Sequence, residues 1–336
     1  MKVNLLRTTY HPVVKTYMDV IQKGLIHANI PCCDVMPGDS AISKKDFLLT
    51  DSPLIAIKYI LKGFRNHIVW FQGVSPEESF MSHKSHVRSA LISQIEKIVL
   101  KKAKLVFLVS EAMKRHYENK YKIDLSAKCF IMPCFNETGV YEDAFSSEKY
   151  EANSFLYVGS LLPWQCFEET VDLYSRIERQ STKPTKFYVF TQQKEEALNI
   201  LQRYHVKHYV IDCVSKEELS NRIKHMKYGF VIREDSVVNN VATPTKFSNY
   251  LANGIIPIYS SSLRSFAAFD EGNNLGIVCD LDSLENGTRS IFEHMESDIV
   301  ANDIYSKCKY AFDSYYNAEQ YVIDIANLAN GILNNN

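Results

Sequence analysis

Nowhere in these 336 residues does an apolar run approach the roughly 20 residues that a helix needs to span a bilayer. Net charge is equally scarce. There are 38 Lys and Arg against 39 Asp and Glu, a balance that argues against nucleic acid as a partner, because affinity there comes from neutralising phosphates. The eight cysteines lack the paired spacing of a metal site: Cys32 and Cys33 are adjacent, and Cys129, Cys134, Cys166, Cys213, Cys279 and Cys308 are scattered, mostly in or beside apolar runs. Buried free thiols in a reducing compartment are expected. The opening Met1-Lys2-Val3-Asn4-Leu5-Leu6 reads as a short strand rather than the apolar stretch of a signal peptide. The expected location is cytoplasmic, at most at the inner face of a membrane.

What the chain does have is ordinary globular composition, 46% hydrophobic and 23% charged, and a length that suits two α/β cores. Its charge is unevenly spread. Residues 1–150 carry 21 basic against 15 acidic side chains, and residues 151–336 carry 17 against 24. A basic half suggests an anionic partner for that half. Short β-rich runs alternate with helical patterns, the signature of parallel sheets with crossover helices. Strands are expected near residues 3–7, 46–50, 67–72, 105–109 and 129–132, then near 155–158, 186–190, 208–211, 229–232, 255–259 and 276–279. The predicted organisation is α/β, with two Rossmann-like doubly wound domains facing a central cleft: 1–135 on the acceptor side, a polar linker 136–153, a donor domain 154–315, and a closing C-terminal helix 316–336.

The most informative segment runs from Arg233 to Gly254. A strand is followed by a polar loop, and Thr243-Pro244-Thr245-Lys246 then opens a helix. Helix starts offer unsatisfied N–H groups and the positive end of the dipole, so they attract anions. Pro244 suits the first turn, and Thr243 and Thr245 add hydroxyls. A lysine at that end opposes the dipole by about 0.3–1 kcal/mol, which calls for a counter-anion. A plain Thr-Pro cap with a solvated lysine is the alternative.

Residues 243–259, TPTKFSNYLANGIIPIY, resemble the donor-binding helix and following strand of family 4 glycosyltransferases with the GT-B fold. The resemblance implies diphosphate contacts from Thr245 and Lys246, with Asn249 standing where the family places a ribose-binding glutamate. It also implies that Arg233, beside Glu234, lies near the donor sugar or phosphates. Residues 155–170, FLYVGSLLPWQCFEET, resemble the opening strand and loop of the same domain. There Gly159, Ser160 and Gln165 take the donor-loop positions, and the family's usual cations are missing. Residues 104–113, Phe130-Ile131-Met132-Pro133 with Asn136, and the capping box Ser215–Glu218 follow in the family's order. Retention of configuration and no cofactor or metal are implied with it.

On the acceptor side, Gln72 falls nearest to where the family commonly has a histidine. Glu77 and Glu78 follow Pro76 at a helix start, where the dipole favours carboxylates; one of them is a candidate to bind an acceptor hydroxyl or serve as its base. His11 is a further candidate for the cleft. Segment 83–104 is basic, with Val87, Leu91, Ile95 and Ile98 at helical spacing and Glu96 its one acid. It reads either as a core helix with a solvated basic face or as a helix resting on an anionic membrane. The expected function is transfer of a sugar from a nucleotide-sugar donor to a glycan or lipid-linked glycan acceptor, with no nucleic acid involved. The alternatives are a nucleotide-sugar epimerase and a non-catalytic subunit that binds a partner enzyme.

Overall fold

The computed structural model describes residues 2–7, 12–39 and 42–333; His11 lies outside them. The chain divides into two compact units. The first holds six strands: β1 (Val3–Leu6), β2 (Cys32–Val35), β3 (Phe47–Thr50), β4 (His67–Trp70), β5 (Leu105–Leu108) and β6 (Cys129–Ile131). They form one sheet in the order β2-β1-β3-β4-β5-β6, and every ladder is parallel. β1, β3, β4 and β5 are buried along their whole length, as continuous apolar runs covered on both faces should be. The edge strand β2 is only half-buried. Helix Ala318–Leu333 belongs to this unit and packs on helix Pro12–His27 at Gly24, where a Cβ would fall 2.5 Å from Ile325 Cγ2.

The second unit carries β7 (Asn153–Val158), β8 (Thr185–Phe190), β9 (Tyr209–Asp212), β10 (Tyr228–Val231), β11 (Ile256–Tyr259) and β12 (Ile277–Val278), ordered β12-β11-β10-β7-β8-β9. All of its ladders are parallel. Numbered within the unit, this is the 3-2-1-4-5-6 order of dinucleotide-binding sheets, and its topological switch point lies between β7 and β10. An aromatic core sits beneath it, with Phe155 stacked on Tyr228 and on Phe230.

The polar stretch read as a linker belongs to the second unit from Glu137 onward, and it is structured. It holds a 3₁₀ turn, Glu142–Ala144, and a short helix, Ser147–Glu151. Together they satisfy the carbonyls at the carboxyl end of helix Lys246–Ala252, which would otherwise be left without partners. Tyr141 N–H donates to Ala252 O (2.7 Å), Lys149 Nζ to Asn253 O, and Tyr150 Oη to Gly254 O (2.8 Å).

The helical segment expected within 83–104 runs from His86 to Lys102, and the helix start expected at Pro76 opens a separate helix, Ser75–His83, which ends where Lys84 adopts a left-handed conformation. In helix His86–Lys102, Glu96 is fully buried while Val87, Leu91 and Ile98 are exposed. Periodicity located the helix but not which face turns inward. All eight cysteines are free; Cys134, Cys166, Cys279 and Cys308 are buried, whereas Cys213 is exposed.

Candidate active site

The carboxyl ends of β7 and β10 bring together residues from three segments of the second unit. After β7 come Gly159, Ser160 and the 3₁₀ turn Pro163–Gln165. After β10 come Arg233 and Glu234, and helix Lys246–Ala252 supplies Lys246 and Asn249. Arg233 is 3% exposed and Lys246 is 8% exposed. Both donate to one oxygen, Gln165 Oε1: Arg233 Nη2 at 2.6 Å and Lys246 Nζ at 2.9 Å. Arg233 Nη1 adds bonds to the backbone carbonyls of Gln165 and Ile232, each 2.8 Å.

Among the described residues, neither cation has a carboxylate partner. Glu234, the sequence neighbour that could have paired with Arg233, is exposed. Two buried cationic side chains thus converge on a neutral amide, an arrangement whose desolvation cost is offset by a bound anion or by loss of the Lys246 proton. Burial pushes the Lys246 ammonium well below its ordinary pKa, and the charge of Arg233 pushes it further. Burial likewise lowers Arg233, opposed by Tyr157, Cys166 and Tyr250.

The surroundings hold both cations in place. The Tyr157 ring lies under Lys246, with Nζ 4.1 Å from its centroid, a cation–π contact in a desolvated setting. Tyr157 Oη also donates to Ser160 O at 2.6 Å, fixing the loop after β7. Gly159 has φ +138, and a Cβ there would lie 3.0 Å from Lys246 Cε. Arg233 N–H donates to Ser260 Oγ at 3.0 Å. Tyr157 and Ser260 were not singled out from the sequence; both read there as ordinary strand and strand-end residues.

The remaining donor-side candidates are less concentrated. Thr243 belongs to the first unit, where its Oγ1 accepts from Cys134 N–H at 2.9 Å. Thr245 precedes the helix without a side-chain capping bond. That helix has only seven residues, so attraction for an anion rests on the side chains rather than on the helix dipole. Asn249 is 8% exposed. An Asp-x-Asp pair, Asp280-Leu281-Asp282, is present in the sequence. Asp280 is engaged by the Ser261 N–H (2.6 Å) and hydroxyl (2.9 Å), Asp282 is exposed, and no group of three or more metal-ligating side chains occurs among the described residues.

In the first unit, Gln72 is exposed just past β4 and its Nε2 donates to Asp51 O at 3.0 Å. Glu77 Oε1 lies 2.7 Å from Lys120 Nζ and 3.2 Å from His116 Nε2. Burial raises its pKa, but these two partners outweigh burial and hold the carboxyl below its ordinary range. Glu78 is pushed up by burial and by the charge of Glu77, against a backbone bond from Val74. A cavity of about 510 Å³ opens at the carboxyl end of β1 and β2, lined by Arg7, Asp19, Gln22 and Asp34 among others.

No protein-family model matches the chain, and no curated protein matches its sequence. Its fold does match solved structures. Sucrose-phosphate synthase from Thermosynechococcus elongatus aligns with a TM-score of 0.71 at 12% identity, over 100% of both chains. WaaG, a glycosyltransferase involved in lipopolysaccharide biosynthesis, aligns at 0.65 and 11% identity, over 96% of this chain and 99% of that one. A variant of S. aureus TarM, in complex with fondaparinux, alpha-GlcNAc-glycerol and UDP, aligns at 0.64 and 11% identity; 85% of this chain is covered and it spans 56% of TarM. The fold is therefore the two-domain α/β arrangement of GT-B glycosyltransferases.

Proposed function

We propose that the protein is a glycosyltransferase that moves a sugar from a nucleoside-diphosphate sugar to a glycan or lipid-linked glycan, with retention of configuration and without a metal ion. One observation carries the reading: Arg233 and Lys246, both buried and without a carboxylate, converge at the switch point of the second sheet, where α/β proteins bind ligands. The fold matches support it, since the TarM structure contains UDP and WaaG acts in lipopolysaccharide biosynthesis.

In this reading the diphosphate lies between the two cations, with Gly159 allowing close backbone approach, Thr245 supplying a hydroxyl and Asn249 meeting the ribose. As the bond to the sugar breaks, negative charge grows on the departing phosphate. Cations already fixed in a dry setting stabilise that charge without reorganising, and losing one such donor costs on the order of 10²–10³ in rate. They supply the charge neutralisation that a metal would otherwise provide. Of the two acceptor-side carboxyls, Glu77 is committed to Lys120 and His116, which leaves Glu78 to meet the acceptor hydroxyl. The departing phosphate can take the proton.

The acceptor side also includes an anionic membrane surface. On helix His86–Lys102, Val87 is 73% exposed, Leu91 63% and Ile98 41%. Arg88, Lys101 and Lys102 are exposed around them, while Glu96 is buried on the opposite face. An apolar stripe bordered by cations, with its one acid turned inward, complements lipid head groups of negative charge.

The test is thermal denaturation with nucleoside diphosphates and nucleotide sugars, followed by turnover with and without glycan acceptors. A ligand bound to the native state raises its melting temperature by mass action. Acceptor-dependent release of nucleoside diphosphate is expected. Conversion of the donor without an acceptor would instead indicate an epimerase, and binding without turnover a non-catalytic subunit.

A further inference from the structure

Gln165 holds an unusual position. Among the described residues, its side-chain oxygen is the one acceptor that Arg233 and Lys246 share, and its backbone carbonyl accepts from the same guanidinium. A carboxamide oxygen carries only a partial charge, so it meets the geometry of two charged donors without balancing them. The side chain is itself only half-buried. The turn that carries it is short, between Leu162, 43% exposed, and Cys166, whose φ of +49 lies in the left-handed region that non-glycine residues seldom adopt. The turn is closed by local bonds, Gln165 N–H to Leu162 O at 2.7 Å and Cys166 N–H to Pro163 O at 3.4 Å, and is tied to the end of β10 by Arg233 Nη1 to Gln165 O and Glu234 N–H to Cys166 Sγ at 3.3 Å.

We infer that Gln165 is a displaceable surrogate anion: its side-chain oxygen occupies the seat of a phosphate oxygen, and a diphosphate must evict it to bind. The inference rests on the diphosphate reading of the same site and adds a selectivity rule to it. Weakly charged or neutral ligands cannot outcompete an oxygen already held by two cations. A diphosphate can, because each of its oxygens accepts charge-assisted bonds that an amide cannot match. Once evicted, the side chain turns outward while the Gln165 carbonyl stays bonded to Arg233, so the guanidinium keeps that partner through the exchange.

The experiment compares wild type, Gln165→Ala, Gln165→Glu and Lys246→Ala by calorimetric titration with inorganic diphosphate and uridine diphosphate, and by ligand-free melting. Removing the surrogate should tighten diphosphate binding about tenfold, the scale of one lost competing bond to a charged group. Gln165→Glu places a true carboxylate between the cations, so it should melt higher than wild type without ligand and bind no diphosphate. Unchanged or weaker binding by Gln165→Ala, while Lys246→Ala still abolishes it, overturns the surrogate role and leaves the diphosphate site standing. A Gln165→Glu protein that melts below wild type also overturns it. Absence of diphosphate binding in all four proteins removes the site and this inference together.

Discussion

Lys246 Nζ stands 4.1 Å above the centre of the Tyr157 ring, so the charge proposed to meet phosphate rests on an aromatic face rather than on a carboxylate. Such a lysine lowers stability while no anion is bound. Lys246→Met keeps the length and the contact with Tyr157 but removes the buried charge. It should melt a few degrees higher than wild type without ligand, about 2–4 °C for roughly 1 kcal/mol, and lose its response to nucleoside diphosphate. Scanning calorimetry with and without ligand checks both halves; a variant that melts lower would show that the charge is already balanced.

Gly159→Ala probes the same lysine from the other side. The added Cβ meets both a positive φ and the Lys246 side chain, so the variant should be destabilised by about 1–3 kcal/mol and bind diphosphate more weakly. Wild-type affinity in this variant would mean that the loop after β7 does not shape the site.

In the first unit, Tyr117 Oη lies 2.8 Å from Gly73 O and 3.0 Å from Glu96 Oε1. One hydroxyl proton cannot serve both acceptors at once, so Glu96 is left short of a donor and its protonated form is favoured. Burial, helped by the charge of Glu77, raises the Glu96 pKa from 4.5 to about 7, against the bonds from Tyr121 and Tyr117 and the charge of Lys120. A carboxyl with a raised native pKa binds its proton more tightly when folded. Its stabilisation is therefore present at low pH and declines as pH rises from about 4.5 to about 7, by at most about 1.4 kcal/mol per unit. Glu96→Gln should lack that decline. Melting curves of both proteins at pH 5 and 7.5 measure the difference, and parallel pH dependences would refute the neutral carboxyl.

The exposed stripe on helix His86–Lys102 predicts sedimentation with vesicles that contain phosphatidylglycerol but not with pure phosphatidylcholine. Each apolar side chain contributes up to about 1.5–3 kcal/mol if fully buried, and each cation roughly 1 kcal/mol at an anionic surface. Replacing Val87, Leu91 and Ile98 by Ser should abolish binding without changing the melting temperature, and added salt should weaken the wild type. Equal binding to neutral vesicles, or concentration-dependent dimerisation through the stripe, would contradict it.

The parallel sheets were legible because runs such as Leu105–Leu108 read as covered strands, and half of the capping box expected at Ser215 forms: Glu218 N–H donates to Ser215 Oγ at 3.3 Å, while Glu218 Oε2 takes the Ser215 hydroxyl at 3.0 Å rather than the backbone N–H. β2 was missed because Cys32-Cys33-Asp34-Val35 has neither alternation nor full burial. Arg233, Gln165 and Lys246 could each be picked out by their place in a motif. Their meeting on one oxygen could not, since residues 165, 233 and 246 come together only through sheet order. Tyr157 carried no signal at all: an aromatic in a buried strand is ordinary core until a lysine is found above it.

Residues 141–150 looked the most expendable in the chain, yet their side chains and backbone hold the far end of the helix that starts with Lys246. Protease cleavage or an insertion there would free that end, and the earliest symptom should be a loosened grip on nucleotide rather than global collapse. Tolerance to change along this sequence thus follows what each backbone carbonyl is bonded to, not how polar or irregular the letters look.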